Sequence, residues 1–556
     1  MKLKMLIKDM EINEITGSAD VDVTGIAYDS RKVKPGDVFV AAKGEKCNGH
    51  DFISDAVKKG AVAIVHEEDE NKLLADSYQL TAIKVSDSRE ALAYLSNNFY
   101  ERPSDKLTVI GVTGTNGKTT ATYLIKSILE AWGKDVGLIG TINYLVKDRH
   151  YDAPHTTPEA LEFQAVLNKM VSAGCSHVVT EVSSHALAQK RVDYTGFSVA
   201  VFTNLTRDHL DFHITMEEYF RAKERLFKEL LLKDGTSVIN FDDPYGRRLI
   251  SELKTSQLGC ESYRQDSANL RDSKSVRLAT ETGNVMTYGI EAGADIVAVN
   301  VKNSFDGLLF DINFNGRTYN IQSPLIGTHN VYNILSAVGA AVSLNVPWDM
   351  IISGIKNMGS VKGRFQKVDL GQNFLCIVDY AHTEDALERL ILTAKEIKEQ
   401  QSSRGPQKVA DFLGQRAAEQ HYTNNASRIT HHASRVITVF GCGGDRDRGK
   451  RPRMAAIATK LSDYVVITSD NPRSEEPIEI IKEIEKGALR MNYTIEPDRE
   501  TAIKKAVETA EEGDILLIAG KGHEDYQEIK GARHKFSDRD TAEKAIKKKV
   551  NSEQCQ

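Results

Sequence analysis

The segment Thr113-Gly114-Thr115-Asn116-Gly117-Lys118-Thr119-Thr120 constrains this chain more than any other. It follows an apolar run, Thr108 to Val112, and precedes a stretch in which Leu124 and Ile128 share one face and Gly133 supplies the stop. A strand, glycine loop and helix in that order aim free backbone N–H groups and the positive end of a helix at one spot. With the Lys118 ammonium and the Thr119 hydroxyl added, that spot suits a triphosphate and its Mg²⁺. Standard spacing would put Gly at position 112, where Val stands, so the loop is a variant. The competing reading is a Gly-rich turn that opens a helix beside a chance lysine. A nucleotide loop alone serves a kinase, a ligase or a nucleotide-driven switch.

Around this loop, apolar strands alternate with amphipathic helices: His177 to Thr180 before the Ser184 segment, and Val199 to Thr203 before a helix from Thr215. The alternation predicts a mostly parallel sheet with helices on both faces. Upstream, shorter apolar runs (Asp37 to Ala42, Ala61 to Val65) close on Arg102-Pro103-Ser104-Asp105 and read as a small α/β domain. From Val361 the pattern of strand followed by polar loop recurs at Leu375 to Val378, Val436 to Phe440, Tyr464 to Thr468 and Ile515 to Ala519. The 556 residues, at roughly 150 per domain, allow three or four domains. We expect an α/β protein of three: residues 1–105, a central P-loop domain over 106–360, and a Rossmann-like domain over 361–556. Ligands should sit at the carboxyl ends of the strands. Residues 399–434 are polar and break the rhythm; they read as a surface insertion, the alternative being a metal site from His421, His431 and His432 without ligand-spacing logic.

The net charge of −6, without long runs of either sign, argues against a nucleic-acid or anionic-membrane partner. No run of about 18 apolar residues exists to span a membrane, and the first residues lack a signal-peptide core. Six scattered cysteines without a CxxC pair read as reduced thiols of a cytoplasmic protein.

Thr215-Met216-Glu217-Glu218 is a capping box and predicts a helix from Thr215 to about Leu232. Met216, Tyr219, Phe220, Leu226, Phe227 and Leu230 recur at spacings of three and four and form its buried stripe. Lys223 falls inside that stripe. A lysine there either snorkels to water or is held where its amine is paired or chemically altered, and spacing leaves both open. Two strand-end loops point toward the same region, Glu181-Val182-Ser183-Ser184-His185 and Asn204 to Asp211. Glu181 and His209 could hold a second or shared Mg²⁺, or be polar strand ends facing water.

Together these segments resemble the Mur ligases, the ATP-dependent amide-forming enzymes of peptidoglycan synthesis, over nearly the whole chain apart from 399–434. The matching strings are Tyr28-Asp29-Ser30-Arg31, the glycine loop, His155-Thr156-Thr157-Pro158, Glu181 to His185, Asn204 to His209, Ala222-Lys223, Gly327-Thr328-His329-Asn330, Gly363-Arg364-Phe365, Asp379-Tyr380-Ala381-His382 and three C-terminal loops. The resemblance implies that Lys118, Glu181, His209 and Lys223 are catalytic. It makes Lys223 a carbamylated lysine whose added carboxylate binds Mg²⁺ together with Thr119, Glu181 and His209. It places ATP on residues 114–120, Asn330, Arg364 and Asp379, and the UDP-muramoyl dipeptide on Ser30, Thr156, Thr157, Ser183, Gln189 and Arg191. Glu45-Lys46-Cys47 departs from the family's uridine-side loop, and His155 replaces a frequent Asn.

The three C-terminal loops are Gly443-Gly444-Asp445-Arg446, Asp470-Asn471-Pro472-Arg473 and Gly520-Lys521-Gly522-His523-Glu524. Arg446 and Arg473 can each fork onto a carboxylate, while Asp470, Glu524 and the Gly520 carbonyl can accept from an ammonium. Each charge alone also fits a solvated loop. As a set they fit a substrate with two carboxylates and two amines, meso-diaminopimelate, better than lysine, which would leave one Arg unpaired. Asn471 belongs to the string that resembles the family's diaminopimelate form. The expectation is an ADP-forming ligase that is monomeric and takes only small-molecule substrates: ATP, the UDP-N-acetylmuramoyl dipeptide and meso-diaminopimelate. A lysine-adding ligase, a folylpolyglutamate-type ligase (against which the Ser30 segment speaks) and a nucleotide-dependent binding switch are the rivals.

Overall fold

A computed structural model describes residues 1–44, 47–68, 80–263, 284–304, 307–402 and 434–554. Glu45, Lys46 and most of the 399–434 segment, including His421, His431 and His432, lie outside the described residues. The described strands form four sheets.

The five-stranded N-terminal sheet has the order Glu14–Thr16, Thr81–Lys84, Ala63–His66, Asp37–Val40, Gly25–Ala27, with only the first strand antiparallel. It meets the central region through polar contacts: Tyr28 Oη donates to Glu162 (3.0 Å), Tyr194 Oη to Glu90 (2.9 Å), and Lys190 pairs with Asp87 (3.0 Å).

The central sheet has eleven strands. Its middle runs Val136–Ile139, His177–Glu181, Thr108–Thr113, Phe197–Phe202, Leu231–Asn240, all parallel. His177–Glu181 is buried at every residue, as befits a strand covered on both faces. The helix Lys118–Ala131 buries Leu124, Ile125, Ile128 and Leu129 on one face, and Gly133 follows it at φ +73°. Beyond Leu231–Asn240 the sheet continues through Asn284–Gly289, Ile296–Ser304, Gly307–Phe314 and Arg317–Ser323, the last two joining as an antiparallel extension. The apolar pattern of the sequence does not single out these strands.

One expected boundary is wrong. The helix opened by Thr215 spans Met216–Lys228, capped as expected by Thr215 Oγ1, which accepts from Glu218 N (3.2 Å). It does not reach Leu232, because Leu231–Asn240 is a strand paired with Phe197–Phe202. The sheet ladder takes the apolar run that periodicity had extended into the helix.

The C-terminal sheet has six strands in the order Gln366–Val368, Leu375–Asp379, Ile515–Ala519, Val436–Phe440, Tyr464–Ile467, Tyr493–Ile495; only the first is antiparallel. Asp379 pairs with Ala519, so the loops after both strands emerge side by side. A small hairpin, Tyr526–Ile529 with Ala532–Lys535, forms the fourth sheet. No helix among the described residues is long and apolar enough to cross a membrane.

Candidate active site

Sheet register builds the site. Glu181 pairs with Val112 and Phe202 with Thr113, so the glycine loop, the Glu181 turn and the Thr203–Asp208 loop leave the sheet together at its carboxyl edge. Gly114 stands at φ +145° and Gly117 at φ +87°. A methyl group at Gly117 would lie 2.3 Å from Asn333 Oδ1. The loop is fastened from its neighbour: Thr115 N donates to Asn204 O (2.8 Å), Asn116 N to Asn204 Oδ1 (2.9 Å), and Thr203 Oγ1 to Asn116 O (2.7 Å).

Two lysines converge on one carbonyl. Lys118 Nζ donates to Gly114 O and Thr115 O, both at 2.9 Å, and Lys223 Nζ donates to Gly114 O at 3.0 Å. Lys223 is 1% exposed, which decides between the two readings of its position: it is held inside. Burial above all, then the neighbouring Lys118 charge, push its amine well below the ordinary range. Burial likewise lowers Lys118, against the opposing pull of Glu181 and Asp208.

Beside them, Glu181 accepts from Thr141 N (2.8 Å) and Thr141 Oγ1 (3.0 Å). His209, at φ +54°, donates its backbone N–H to Asp208 Oδ1 (2.9 Å) and packs edge-on against His185 with ring centroids 4.7 Å apart. Burial, with His185, Lys118 and Lys223 nearby, keeps the His209 ring neutral against the pull of Asp208. For Asp208, desolvation works upward, but His209, His382 and Lys450 outweigh it and hold the carboxyl below its usual value. Thr119, Glu181, Asp208 and His209 line one cavity of about 640 Å³, and their oxygen-rich donor set suits a hard dication next to phosphate. Among the described residues no group of three or more His, Cys, Asp or Glu could hold a metal unaided, so substrate oxygens or a modified side chain would have to complete a shell.

The expected muramoyl-dipeptide residues are mostly one network on the far wall. Thr156 Oγ1 lies 3.1 Å from Thr141 Oγ1, Thr157 Oγ1 donates to Glu181 O (2.8 Å), and Ser183 N donates to Thr157 Oγ1 (3.1 Å). Arg191 donates to Thr157 O (3.1 Å) and Gln189 Oε1 (2.6 Å) and pairs with Glu159 (2.7 Å). Ser30 is apart from them in the N-terminal sheet region, its carbonyl accepting from Lys59 Nζ (2.8 Å).

The C-terminal sheet covers the cavity from the other side. Arg364 Nη2 donates to Thr119 Oγ1 (3.2 Å), and its guanidinium lies 4.5 Å from the Tyr380 ring. Asp379 accepts from Phe365 N (2.6 Å) and Ala381 N (2.8 Å), and burial raises its carboxyl despite Arg364. Asn330 Nδ2 donates to Ile326 O (2.6 Å), and its Oδ1 accepts from Asn333 (2.9 Å). Asn116 Nδ2 reaches across to Asp385 Oδ2 (2.8 Å), a contact the sequence did not flag; Asp385 lies in the first turn of the helix Glu384–Ser402 and carries no motif.

The three C-terminal loops also meet. Arg473, at φ +52°, donates to Gly444 O (2.7 Å) and pairs loosely with Glu528 (3.5 Å). Asn471 Nδ2 donates to Glu524 Oε2 (2.9 Å), and a methyl group at Gly520 would lie 2.6 Å from Asp470 Oδ2. Arg446 is exposed on the rim. Tyr380 joins this cluster to the Arg364 and glycine-loop side, its ring 5.1 Å from that of His523.

Three family models match the chain: Mur ligase middle domain over residues 112–282 and 268–341, Mur ligase, glutamate ligase domain over 417–522, and Mur ligase family, catalytic domain over 22–100. The chain is similar to the UDP-N-acetylmuramoyl-L-alanyl-D-glutamate--2,6-diaminopimelate ligase of Solibacter usitatus, with 41% identity over 532 residues covering 95% of this chain and 94% of the relative. The ligase of the same name from Clostridium perfringens is 40% identical over 543 residues, covering 97% and 98%. Among solved structures, one of a ligase of that name aligns with TM-score 0.62 and 29% identity over 99% of both chains. A MurF ligase from Thermotoga maritima in complex with ADP shares the fold, with TM-score 0.56 and 18% identity over 96% of this chain and 99% of that one.

Proposed function

The chain belongs to the Mur ligase family, and from that premise we propose that it is an ATP-dependent, ADP-forming amide ligase of peptidoglycan precursor synthesis. It joins the γ-carboxylate of D-Glu in UDP-N-acetylmuramoyl-L-alanyl-D-glutamate to an amine of meso-diaminopimelate. The observation that carries this reading is full-length similarity at about 40% identity to relatives named for that reaction.

In the reaction, the substrate carboxylate attacks the γ-phosphorus of ATP, ADP leaves, and an acyl phosphate results. The neutral amine then adds to the acyl carbon, and the tetrahedral intermediate expels phosphate while the nitrogen loses a proton. Backbone N–H groups of residues 114–120 and the Lys118 ammonium bind the phosphates; Asn330, Arg364 and Asp379 orient the nucleotide. Ser30, Thr156, Thr157, Ser183, Gln189 and Arg191 hold the UDP-muramoyl dipeptide, and Arg446, Asp470, Asn471, Arg473, Gly520 and Glu524 hold the diaminopimelate. Thr119, Glu181, His209 and a carbamylated Lys223 would hold Mg²⁺, which when bound supplies charge neutralisation at the phosphates. Positioning supplies most of the acceleration, which requires the amine to be held near the acyl carbon and water to be kept out.

We assign residues 1–105 to the UDP end of the substrate, 106–360 to ATP, and 361–556 to the amino acid. We further assign the protein to the cytoplasm as a monomer serving cell-wall growth, cell shape and division. The deciding assay mixes the purified chain with ATP, the UDP-dipeptide and either meso-diaminopimelate or L-lysine. ADP release that requires the dipeptide and meso-diaminopimelate is expected, and Lys118→Ala should lower it by about 10²- to 10³-fold or more. Preference for lysine would identify the lysine-adding reaction instead, and phosphate release indifferent to any amino acid would identify a switch. Electron density for a carboxylate on Nζ in a crystal tests the carbamylation of Lys223.

A further inference from the structure

Lys521 is the one residue of the Gly520–Glu524 loop whose side chain is wholly enclosed. Its ammonium donates to Asn471 Oδ1 and to Glu524 Oε2, both at 2.9 Å, and stands 3.8 Å from Asp470 Oδ1. The remaining side of the amine faces the Tyr526 ring, with 5.5 Å from Nζ to the centroid. The loop is shaped to admit it, because Gly520 and Gly522 on either side stand at φ +121° and +53°. Asn471 is clamped in turn: its Oδ1 also accepts from Glu528 N (2.9 Å), and its amide donates to the same Glu524 oxygen that Lys521 binds. Lys521, Asn471 and Glu524 are therefore one closed triangle, with Asp470 at its edge.

Asp470 and Glu524, expected from the sequence to accept from the substrate, already face this internal cation. A buried carboxylate that already holds a fixed ammonium offers a different charge to an incoming ligand from one that does not. We propose that Lys521 is a positioning and specificity-determining residue for the amino-acid substrate. It fixes Glu524 and Asn471 in place and offsets one negative charge of the recess, and so disfavours a substrate that brings an additional net positive charge. Meso-diaminopimelate is net neutral at pH 7, with two carboxylates and two ammonium groups, and L-lysine carries +1. Removing the Lys521 charge makes the recess one unit more negative, which shifts discrimination toward lysine.

This inference rests on the ligase reading above, and the experiment separates the two. The wild-type chain is assayed first with ATP, UDP-dipeptide and each amino acid; failure to ligate either one ends the ligase reading itself. Lys521→Met, which keeps length and removes charge, is then compared with it. The expected result is a KM for meso-diaminopimelate at least tenfold higher, a KM for ATP within twofold of wild type, and a lysine-to-diaminopimelate ratio of kcat/KM at least tenfold higher. An unchanged ratio, or equal loss with both amino acids, overturns the proposal, since a purely structural role lowers both alike. If Lys521→Met does not fold, Glu524→Gln carries the test with the opposite sign: the recess becomes less negative and the same ratio falls at least threefold. A ratio that rises or stays constant in Glu524→Gln overturns the proposal equally.

Discussion

At Gly114 the backbone stands at φ +145°, and a methyl group there would lie 1.9 Å from Thr203 Oγ1. Gly114→Ala therefore has to disturb both the loop's own conformation and the strand-end loop beside it, at a cost of about 1 to 3 kcal/mol. The ATP KM should rise by tenfold or more, read from ADP-release kinetics, while the meso-diaminopimelate KM moves little. Arg473 is the residue proposed for the other substrate. Its guanidinium is half-buried against Gly444 O, and Arg473→Ala should raise the meso-diaminopimelate KM by about 30-fold, from about 2 kcal/mol for a lost buried carboxylate partner, with ATP unaffected. Loss of ATP affinity instead would contradict the assignment of the C-terminal loops to the amino acid. Both residues could be singled out from the sequence. Lys521 could not be sorted from the exposed lysines around it, because nothing in a Gly-Lys-Gly string says that the side chain turns inward.

Among whole elements, the strength of a charge pair depends on what encloses it. Arg499 opens the helix Arg499–Thr509, and Asp538 opens Asp538–Gln554. Both side chains are fully buried, with two contacts of 2.7 Å between them, and Arg499 also donates to Ser469 O (3.1 Å) and Ala519 O (2.9 Å). The guanidinium thus ties two helices to the strand ends from which the Asp470 and Gly520 loops emerge. Asp538→Ala should cost about 3 to 5 kcal/mol in denaturant unfolding, because it strands a buried cation. Lys126 and Glu130, a partly exposed pair one helical turn apart, set the contrast: Glu130→Ala should change stability by no more than about 0.5 kcal/mol. The capping box at Thr215 was legible because its hydrogen bond is local, whereas the end of the same helix was not, because a strand partner 34 residues upstream of Leu231 decides it (Phe197 to Leu231).

Across the molecule, the central and C-terminal sheets share the cavity through Arg364 on Thr119 and Asn116 on Asp385, and neutral histidines lie along that seam. Burial lowers His329 to about 4 and His523 to about 3, and the Nδ1 atom of each is enclosed without a hydrogen-bond partner. The unfolded chain takes up protons on these rings near pH 6.5, while the folded chain resists until about pH 4 and 3. Between those limits the unfolded state binds more protons, so stability falls as pH drops below about 6.5 and levels off near 3 to 4. Thermal melting at pH 7.5 and 5.0 should show the lower midpoint at pH 5.0, and replacing His329 by Gln should reduce the difference. A difference between the two midpoints that this replacement leaves unchanged would place the acid sensitivity elsewhere.

The sequence by itself determined the strand, loop and helix around Lys118, the alternation that makes parallel sheets, and the resemblance that names the family. Those features are local: a glycine's permitted φ, a cap's hydrogen bond and an apolar period act within a few residues. Only tertiary structure decided that Lys223 and Lys118 share the Gly114 carbonyl, that Asp385 reaches the glycine loop at Asn116, and that Lys521 lies inside a triangle with Asn471 and Glu524. Burial and electrostatic partnership are set by which strand ends the sheet register brings together, and residues 116 and 385, or 471 and 521, are neighbours only once those sheets have formed.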